Sequence, residues 1–324
     1  MQIRQLAPAT LVALASAVVG PEALACDSTG CLILTRGPSG LLRRGGFSLE
    51  LSYRYLDQSR KLEGRAETNV VSRPRVDLAR GRLLSNYHSD LAGDDSGVQL
   101  EAGYGVSSHT TLYASLPVLT LKSHRIGHGS VVTPYDTWGF GDTVAGARQA
   151  IPLPFAGNAA ASLALKLPTG KTDLIDDFDG QPLDPMLQPG TGSLDVLFSG
   201  QYSRKIESPR LDVSASASYQ ANTTNDRGYR FGNEAIAAFG LSRPLGRALV
   251  VTAQAKWMRE GRDGLRGLGV PSTGATFGYL TGGLRLFHGS FSYYAIAHAP
   301  FYSDVNETQL GPKAGVLAGL SRTF

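Results

Sequence analysis

Apolar and polar residues alternate along many strand-length stretches of this chain. The clearest stretch is 47–55, FSLELSYRY, where every odd-numbered residue is apolar or aromatic and every even-numbered one is polar or charged. Successive side chains of a β-strand point to opposite faces, so this stretch has one apolar and one polar face. A soluble sandwich shows the same local alternation, so connection lengths and compartment have to decide between the two.

The connections between such stretches alternate between long segments and short turns. Outer-membrane barrels have this asymmetry, with long loops outside the cell and short periplasmic turns. The sequence therefore predicts an all-β fold, an antiparallel up-and-down transmembrane β-barrel of about twelve strands, with fourteen as the alternative and both termini in the periplasm. The predicted strands are 47–56, 97–106, 110–118, 141–150, 159–167, 193–203, 211–220, 230–242, 248–258, 275–287, 290–302 and 314–324.

The apolar faces predict a lipid-facing band. Leu163, Leu165 and Leu167 share one face of a strand, and rings near strand ends suit the interfacial girdles of a barrel. The stretch 275–287 changes phase near Thr281, which predicts a β-bulge there. The girdle candidates are Tyr53, Tyr104, Tyr202, Tyr219, Phe231, Trp257 and Phe324.

The start of the chain has the features of an export signal. Arg4 is followed by a short apolar run at 11–19 and by small residues before Cys26. We predict a signal peptide over residues 1–25, a periplasmic segment or lumen plug over residues 26–45, and an outer-membrane barrel over residues 46–324. Cys26 and Cys31 favour a disulfide in an oxidising periplasm, and acylation of Cys26 is the alternative.

The rest of the sequence has no run of roughly 18 apolar residues that could form a membrane-spanning helix. A chain that crosses a bilayer without helices has to satisfy its backbone hydrogen bonds between strands. The mean hydropathy of −0.09 fits this arrangement, because polar lumen-facing residues offset the apolar outer face. The predicted location is the outer membrane of a Gram-negative bacterium.

A transport function would depend on the polar faces of the strands. Both signs of charge occur there, so acids and bases either pair across a narrow lumen or line opposite walls. The alternative is a lumen filled by its own side chains, as in small barrels. The predicted lumen-lining residues are Glu50, Arg54, Gln99, Glu101, Tyr113, Arg148, Lys166, Asp195, Gln201, Asp212, Gln220, Glu234, Gln254 and Lys256.

The longest predicted connection, 57–96, is rich in basic residues. At the cell surface they would meet lipopolysaccharide phosphates, which guanidinium groups bind in bidentate fashion. Attraction of an anionic solute to the mouth is the second possibility. Nucleic-acid binding is not predicted, although the net charge is +4. The basic residues are Arg60, Lys61, Arg65, Arg73, Arg75, Arg80 and Arg82.

Motifs for metals or catalysis are weak. The loop 173–184 contains five aspartates, but their spacing does not fit the EF-hand pattern, so a solvated acidic loop is favoured over a calcium site. His124 and His128 have no evident third ligand. The sequence predicts no metal site, no cofactor and no enzyme. The minor alternative is a hydrolase active at the barrel rim, which would use dispersed pairs: His88 with Asp90, or His298 with Asp304.

Five segments carry a family resemblance: GFSLELSYRY (46–55), FGDTVAGARQ (140–149), LKLPTGKTDL (165–174), PGTGSLDVLFSGQYSR (189–204) and AGLSRTF (318–324). They resemble the bacterial outer-membrane transporter family named for the meta-pathway of phenol degradation. The resemblance covers most of the mature chain and implies a channel for passive diffusion of small solutes, with aromatic or weakly polar compounds suggested by the family name.

The competing class is a structural barrel that binds lipopolysaccharide or another partner without transport. For either class, the expected surroundings are outer-membrane lipid and lipopolysaccharide, and the barrel-assembly machinery is the expected partner during biogenesis. A small-molecule solute is expected only for the channel.

Overall fold

A computed structural model describes residues 41–155, 157–177, 180–207 and 210–324. The predicted signal peptide and both cysteines lie outside these ranges. Within them, no helix is long and apolar enough to span a bilayer, and one turn of 3-10 helix covers Pro185–Leu187. The strands are β1 (Phe47–Asp57), β2 (Arg60–Glu63), β3 (Ala66–Glu67), β4 (Ser72–Asp77), β5 (Arg82–Gly105), β6 (Thr110–His128), β7 (Val131–Gly139), β8 (Thr143–Ile151), β9 (Asn158–Leu167), β10 (Asp195–Ile206), β11 (Leu211–Ala221), β12 (Tyr229–Arg230), β13 (Glu234–Leu245), β14 (Leu249–Glu260), β15 (Gly264–Leu265), β16 (Leu268–Gly269), β17 (Ala275–His288), β18 (Phe291–Val305), β19 (Thr308–Gly311) and β20 (Ala314–Thr323).

Twelve of these strands form a closed antiparallel barrel. Each barrel strand pairs with the preceding and following barrel strands, and β20 pairs with β1 to close the ring, with Ser48 opposite Thr323 and Asp57 opposite Ala314. Closure leaves the wall without a free edge, which a bilayer requires. The predicted fold and the strand number of twelve are confirmed. The barrel strands are β1, β5, β6, β8, β9, β10, β11, β13, β14, β17, β18 and β20.

The two ends of the barrel differ in their connections. One end carries short turns, such as that between β17 and β18, where Gly289 has a φ of +60°. Glycine adopts this conformation without the steric cost of a Cβ. The first and last strands also meet here, since the Phe324 N–H donates to the Phe47 carbonyl oxygen at 2.8 Å. This is the periplasmic end, and the end with long loops is the extracellular end.

The barrel wall alternates as the sequence predicts. On β9, Leu163 and Leu165 are 53% and 43% exposed, whereas Ala164 and Lys166 are each 1% exposed. Large apolar side chains therefore cover the outside and charged ones are enclosed, which is the reverse of a soluble protein. This distribution fits a wall surrounded by hydrocarbon.

The irregularity predicted near Thr281 lies two to three residues earlier in the strand. Phe277, Tyr279 and Thr281 are all buried on the same face, and the register of β17 against β18 shifts at Gly278 and Tyr279 instead. The alternation of side chains continues, but the inner face becomes apolar towards the extracellular end because Leu62 packs there with Phe277 and Tyr279. In the sequence, apolar residues on the inner face look like a change in the phase of the apolar and polar alternation.

Both walls of one hairpin extend beyond the predicted strands. β5 begins at Arg82 instead of residue 97, and β6 ends at His128 instead of residue 118. The short strands β4 and β7 pair with these extensions. The extended sheet gives the long loops a surface on which to pack.

The long loops fold together over the extracellular mouth. We call the segments 58–81, 168–194, 222–233 and 261–274 the loop cap. Three of them share an apolar cluster, the cap core, in which the rings of Tyr229 and Phe231 meet edge to face at 5.1 Å. The buried members of the cap core are Val76, Leu78, Tyr229, Phe231, Leu265 and Val270.

Phe231 was predicted in the interfacial girdle, and this prediction is wrong. Phe231 is 8% exposed in the cap core, and the barrel strand β13 begins only at Glu234 instead of residue 230. A short apolar stretch before a strand has the same local pattern as the strand itself. The alternation alone therefore could not separate the loop from the wall.

Candidate functional site

The structure places the predicted lumen residues on the strand face opposite the exposed leucines and valines. Most are buried, so side chains occupy much of the space inside the ring. The buried ones are Glu50, Glu101, Arg148, Lys166, Asp195, Gln220, Glu234, Gln254 and Lys256. The partly exposed ones are Arg54, Gln99, Tyr113, Gln201 and Asp212.

A buried ion pair joins two of these side chains. Lys166 on β9 and Asp195 on β10 are cross-strand neighbours, and Lys166 Nζ lies 2.7 Å from Asp195 Oδ2. Asp195 also accepts hydrogen bonds from the Ser193 hydroxyl at 3.1 Å and the Thr223 N–H at 2.7 Å. The carboxylate is thus satisfied from three directions, as a buried charge requires. These bonds tie the end of one cap segment and the start of the next to the wall.

Other charged side chains inside the ring lie over aromatic rings. Arg148 Cζ is 5.0 Å from the centre of the Tyr113 ring, and Lys256 Nζ is 4.4 Å from the centre of the Tyr279 ring. A cation within about 6 Å of a ring centre is attracted by the ring quadrupole. Cations inside the ring are therefore stabilised by aromatic rings as well as by carboxylates.

Tyr294 is a second inner ring that sequence reasoning missed. Its hydroxyl donates to Glu50 Oε1 at 2.7 Å, and Arg285 Cζ lies 5.1 Å from its ring centre. The only signal in the sequence was position: Tyr279 and Tyr294 share the phase of the polar residues on β17 and β18. Because aromatic residues were assumed to face the lipid, these two tyrosines were not predicted on the inner face.

A cavity of about 110 Å³ lies between these inner side chains and the loop cap. An apolar cavity of about 150 Å³ holds benzene, so this one has roughly the size of a single aromatic ring. Its apolar lining includes Leu56, Phe231, Met258, Phe277 and Tyr279. Its polar lining includes Arg73, Asp90, His124, Gln220, Asn222, Glu234, Glu260 and Asp263.

Arg73 belongs to the basic connection 57–96 but lines this cavity. Its side chain is 6% exposed, and Nη1 lies 3.3 Å from Asp90 Oδ2 and contacts Met186 Sδ. Burial alone would lower the pKa of Arg73, but the Asp90 and Asp184 carboxylates raise it. The guanidinium therefore stays charged inside the cap, and this part of the basic loop is not a surface patch.

The other basic residues divide between the cap interior and the rim. Arg75 Nη2 lies 3.7 Å from Asp176 Oδ2, with both side chains less than a third exposed. Arg65 is exposed, and its Nε donates to Asp304 Oδ2 at 2.9 Å. A single lipid-facing basic surface is therefore not formed by this loop.

The acidic loop 173–184 is used for packing. Asp176 accepts a hydrogen bond from the Tyr135 hydroxyl at 3.1 Å, and Asp184 caps the 3-10 helix. Asp179 lies outside the described residues. In the part of the chain that the structure describes, no group of three or more His, Cys, Asp or Glu side chains is arranged to hold a metal ion.

The two pairs considered for a rim hydrolase have other contacts. Asp304 is engaged by Arg65, and the His298 ring nitrogens have no hydrogen-bond partner among the described residues, so His298 and Asp304 do not form a pair. His88 Nε2 does lie 3.3 Å from Asp90 Oδ1, but Asp90 also binds the Arg73 guanidinium. Neither arrangement is favoured as a catalytic pair.

Comparison with known proteins adds to this geometry. The sequence matches the family described as "MetA-pathway of phenol degradation" over residues 89–284, more than half of the chain. No curated protein matches the sequence significantly. The fold is similar to the crystal structure of an outer membrane channel from Pseudomonas putida F1, with a TM-score of 0.58 and 15% sequence identity over 90% of this chain and 100% of that chain.

Two further solved barrels are more distant. The translocator domain of the autotransporter NalP from Neisseria meningitidis gives a TM-score of 0.45 at 13% identity, over 87% of this chain and 90% of that chain. The Pseudomonas putida toluene transporter TodX gives a TM-score of 0.42 at 10% identity, over 87% of this chain and 91% of that chain. At these values the likeness does not bear on function, and the channel from Pseudomonas putida F1 supports the fold.

Proposed function

Because the chain belongs to the "MetA-pathway of phenol degradation" family and folds as an outer-membrane β-barrel, we propose that it is a channel for passive diffusion of small solutes. The cavity of about 110 Å³ beneath the loop cap is the observation that carries the proposal. Its wall combines apolar rings with carboxylates and amides. Such a surface suits an aromatic or weakly polar molecule that has one hydrogen-bonding group.

The predicted lumen residues would form the path below this cavity. They are long and polar, and a solute can pass only when some of them change rotamer, which side chains do far faster than a solute crosses a membrane. We therefore expect a low-conductance channel that admits small solutes and excludes large hydrated ones. Mixed charge along the path gives no reason to expect strong ion selectivity.

Solute flux into liposomes tests the proposal. The purified barrel should accelerate uptake of phenol or benzyl alcohol above the protein-free rate, measured by stopped-flow quenching of a trapped fluorophore, and should show small unitary currents in planar bilayers. Phe277→Ala should enlarge the cavity and raise flux several-fold, whereas Met258→Trp should fill it and lower flux. Leu280→Ala is the matched control, because Leu280 lies on the same strand and is 59% exposed on the outer face.

The competing function is a structural or lipopolysaccharide-binding barrel without transport. The close filling of the interior by side chains such as Lys166 and Glu50, each 1% exposed, is the observation in its favour. Absence of both flux and conductance from a correctly folded barrel, with no response to Phe277→Ala, would overturn the channel and support this alternative. Lipopolysaccharide contact and the assembly machinery remain predictions under either function.

A further inference from the structure

A second pocket opens at the top of the loop cap. It has a volume of about 550 Å³ and lies between residues 78–79, Pro182, residues 226–228 and Arg266, so all four cap segments contribute to it. We call it the apex pocket. It is separate from the cavity beneath the cap, because the two share no lining residue.

Arg266 reaches the apex pocket from a two-residue turn that does not favour arginine. Leu265 pairs with Leu268, and Arg266 and Gly267 have φ values of +50° and +85° between them. Both central residues of a type I′ turn need a positive φ, for which Asn-Gly is the preferred pair. A left-handed backbone costs an ordinary residue about 1–2 kcal/mol. The turn therefore presents a guanidinium at some cost to its own stability.

The rest of the pocket holds Arg266 in place. Its backbone N–H donates to the Gly228 carbonyl oxygen at 2.8 Å. Its guanidinium lies directly against Gly81, where a Cβ would meet Nε at 2.0 Å. Glycine at position 81 is thus needed for the arginine to lie in this position. Arg266 is also exposed, so a ligand in the pocket can reach its guanidinium.

Arg227 provides the second cation of the pocket lining. Its backbone N–H donates to Asn225 Oδ1 at 3.1 Å, and the same oxygen accepts from the Tyr229 N–H at 3.0 Å. Its Nη1 atom is buried and has no hydrogen-bond partner among the described residues. An unpaired buried donor is costly. Because Arg227 lines the apex pocket, a change of rotamer that presents its guanidinium to a ligand there would break no existing hydrogen bond at Nη1.

The surroundings of the pocket carry an excess of positive charge. Arg80 and Arg82 flank Gly81 and share one carboxylate oxygen of Asp77, at 3.2 and 3.4 Å, while their own side chains are 66% and 59% exposed. Among the residues that line the pocket, Arg227 and Arg266 carry two positive charges and Asp226 carries one negative charge. The lining therefore has a net charge of +1.

We propose that the apex pocket binds a phosphate-type oxyanion between Arg227 and Arg266. Planar guanidinium groups bind phosphate oxygens in pairs, and Arg227 would turn its guanidinium towards the oxyanion without losing a hydrogen bond at Nη1. The phosphate could belong to a lipopolysaccharide or to a free phosphorylated solute, because both carry this group. The site is independent of the channel proposal, since it shares no lining residue with the cavity.

Substitution at the turn separates binding from folding. Arg266→Asn removes the guanidinium but places Asn-Gly in a type I′ turn, which should make the hairpin more stable. Arg227→Gln removes the second cation. Arg247→Gln is the charge-matched control, because Arg247 is exposed in a short turn at the opposite end of the barrel. Each variant loses one positive charge, so nonspecific attraction changes equally.

The first arm measures free phosphate. Phosphorus NMR line broadening of inorganic phosphate and glucose 1-phosphate is followed on the folded barrel in a phosphate-free detergent. We expect saturable binding by the wild type and by Arg247→Gln, and affinity at least about tenfold weaker for Arg266→Asn and Arg227→Gln, the scale of a lost charged hydrogen bond.

The second arm measures lipopolysaccharide. The same proteins are purified from outer membranes, and bound lipopolysaccharide is quantified, then re-added in its phosphorylated and dephosphorylated forms. If the two site variants retain less lipopolysaccharide but bind free phosphate as the wild type does, the phosphate belongs to the lipid. If only their binding of free phosphate is weakened, the phosphate belongs to a solute. Equal binding by the wild type and both site variants in both arms would overturn the site, whatever the flux measurements show.

Discussion

The barrel wall and the loop cap distribute their apolar side chains in opposite ways. On the wall, Leu163 is 53% exposed to the outside while Lys166 is 1% exposed within the ring. In the cap, Leu265 and Val270 are each 1% exposed, and arginines cover the outside. The wall is adapted to hydrocarbon, and the cap follows the rule of a soluble protein in water.

The difference indicates that the two regions are stabilised by different forces. Lipid is as apolar as leucine, so burial adds little on the wall, which depends on its closed ring of backbone hydrogen bonds. The cap core is stabilised by the hydrophobic effect, as in a soluble domain. Leu62, which is 0% exposed against Met258 and Phe277, is a point where the two regions meet. We therefore expect the cap to open at a lower free energy than is needed to unfold the wall.

The largest predicted effect concerns the buried pair of the wall. Lys166→Met leaves the Asp195 carboxylate enclosed without its cation, so we expect the free energy of unfolding to fall by about 3–5 kcal/mol. Urea unfolding in detergent or liposomes, followed by far-UV circular dichroism, measures this loss. The double variant Lys166→Met/Asp195→Asn should recover most of it, because no unpaired charge remains and the amide oxygen still accepts from the Thr223 N–H. A single variant as stable as the wild type would show that the interior is wet enough to solvate Asp195.

The same substitution in the two regions tests the comparison directly. Leu163→Arg puts a charge on the lipid face and should cost about 2–4 kcal/mol if the residue lies near the bilayer midplane. Leu268→Arg changes a side chain that is 64% exposed on the cap, so its effect should stay within about 0.5 kcal/mol. Unfolding in liposomes gives both values. Similar costs at the two positions would mean that the outer face of the wall is not in contact with lipid.

The sequence predicted the wall because each of its strands carries its own pattern. β9 covers Asn158–Leu167 against a predicted 159–167, since one lipid face and one polar face are enough to define it. The extension of β5 from Arg82 to Ser96 has no such contrast, because water or cap residues cover both sides. Short-range periodicity contains no information about such a segment.

The candidate site was only partly predictable, for a related reason. The lumen residues follow from strand phase, whereas the cavity and the apex pocket depend on contacts between loops that are distant in sequence. Arg73 and Asp263 line one cavity from segments 190 positions apart, and Arg266 lies against Gly81. Local patterns cannot specify such pairs. The positive φ at Arg266 is likewise visible only once the turn is built.

The smallest predicted effect is a pH response confined to the cap. Glu307 joins two extracellular connections, since its Oε1 accepts from Arg262 Nη2 at 2.7 Å and its Oε2 accepts from the Ser272 N–H at 2.9 Å. Burial alone would raise the pKa of Glu307, but these hydrogen bonds lower it. A carboxyl with a lowered pKa stabilises the folded state at neutral pH, and this contribution is lost as the pH falls through that pKa. Acidification should therefore loosen the segment 261–274.

Asp263, a carboxyl in the segment 261–274, has the opposite effect. Burial raises its pKa, so its ionisation destabilises the cap as the pH rises. The pH dependence of cap stability in the wild type therefore combines two opposite effects. Comparison with Glu307→Gln isolates the contribution of Glu307. Mobility of a spin label at residue 268, measured by electron paramagnetic resonance, should rise on acidification in the wild type. In Glu307→Gln it should already be higher at neutral pH and respond less to acid. An identical acid response in both proteins would show that the bridge does not restrain the cap, while the wall, which lacks this bridge, should be unaffected in either case.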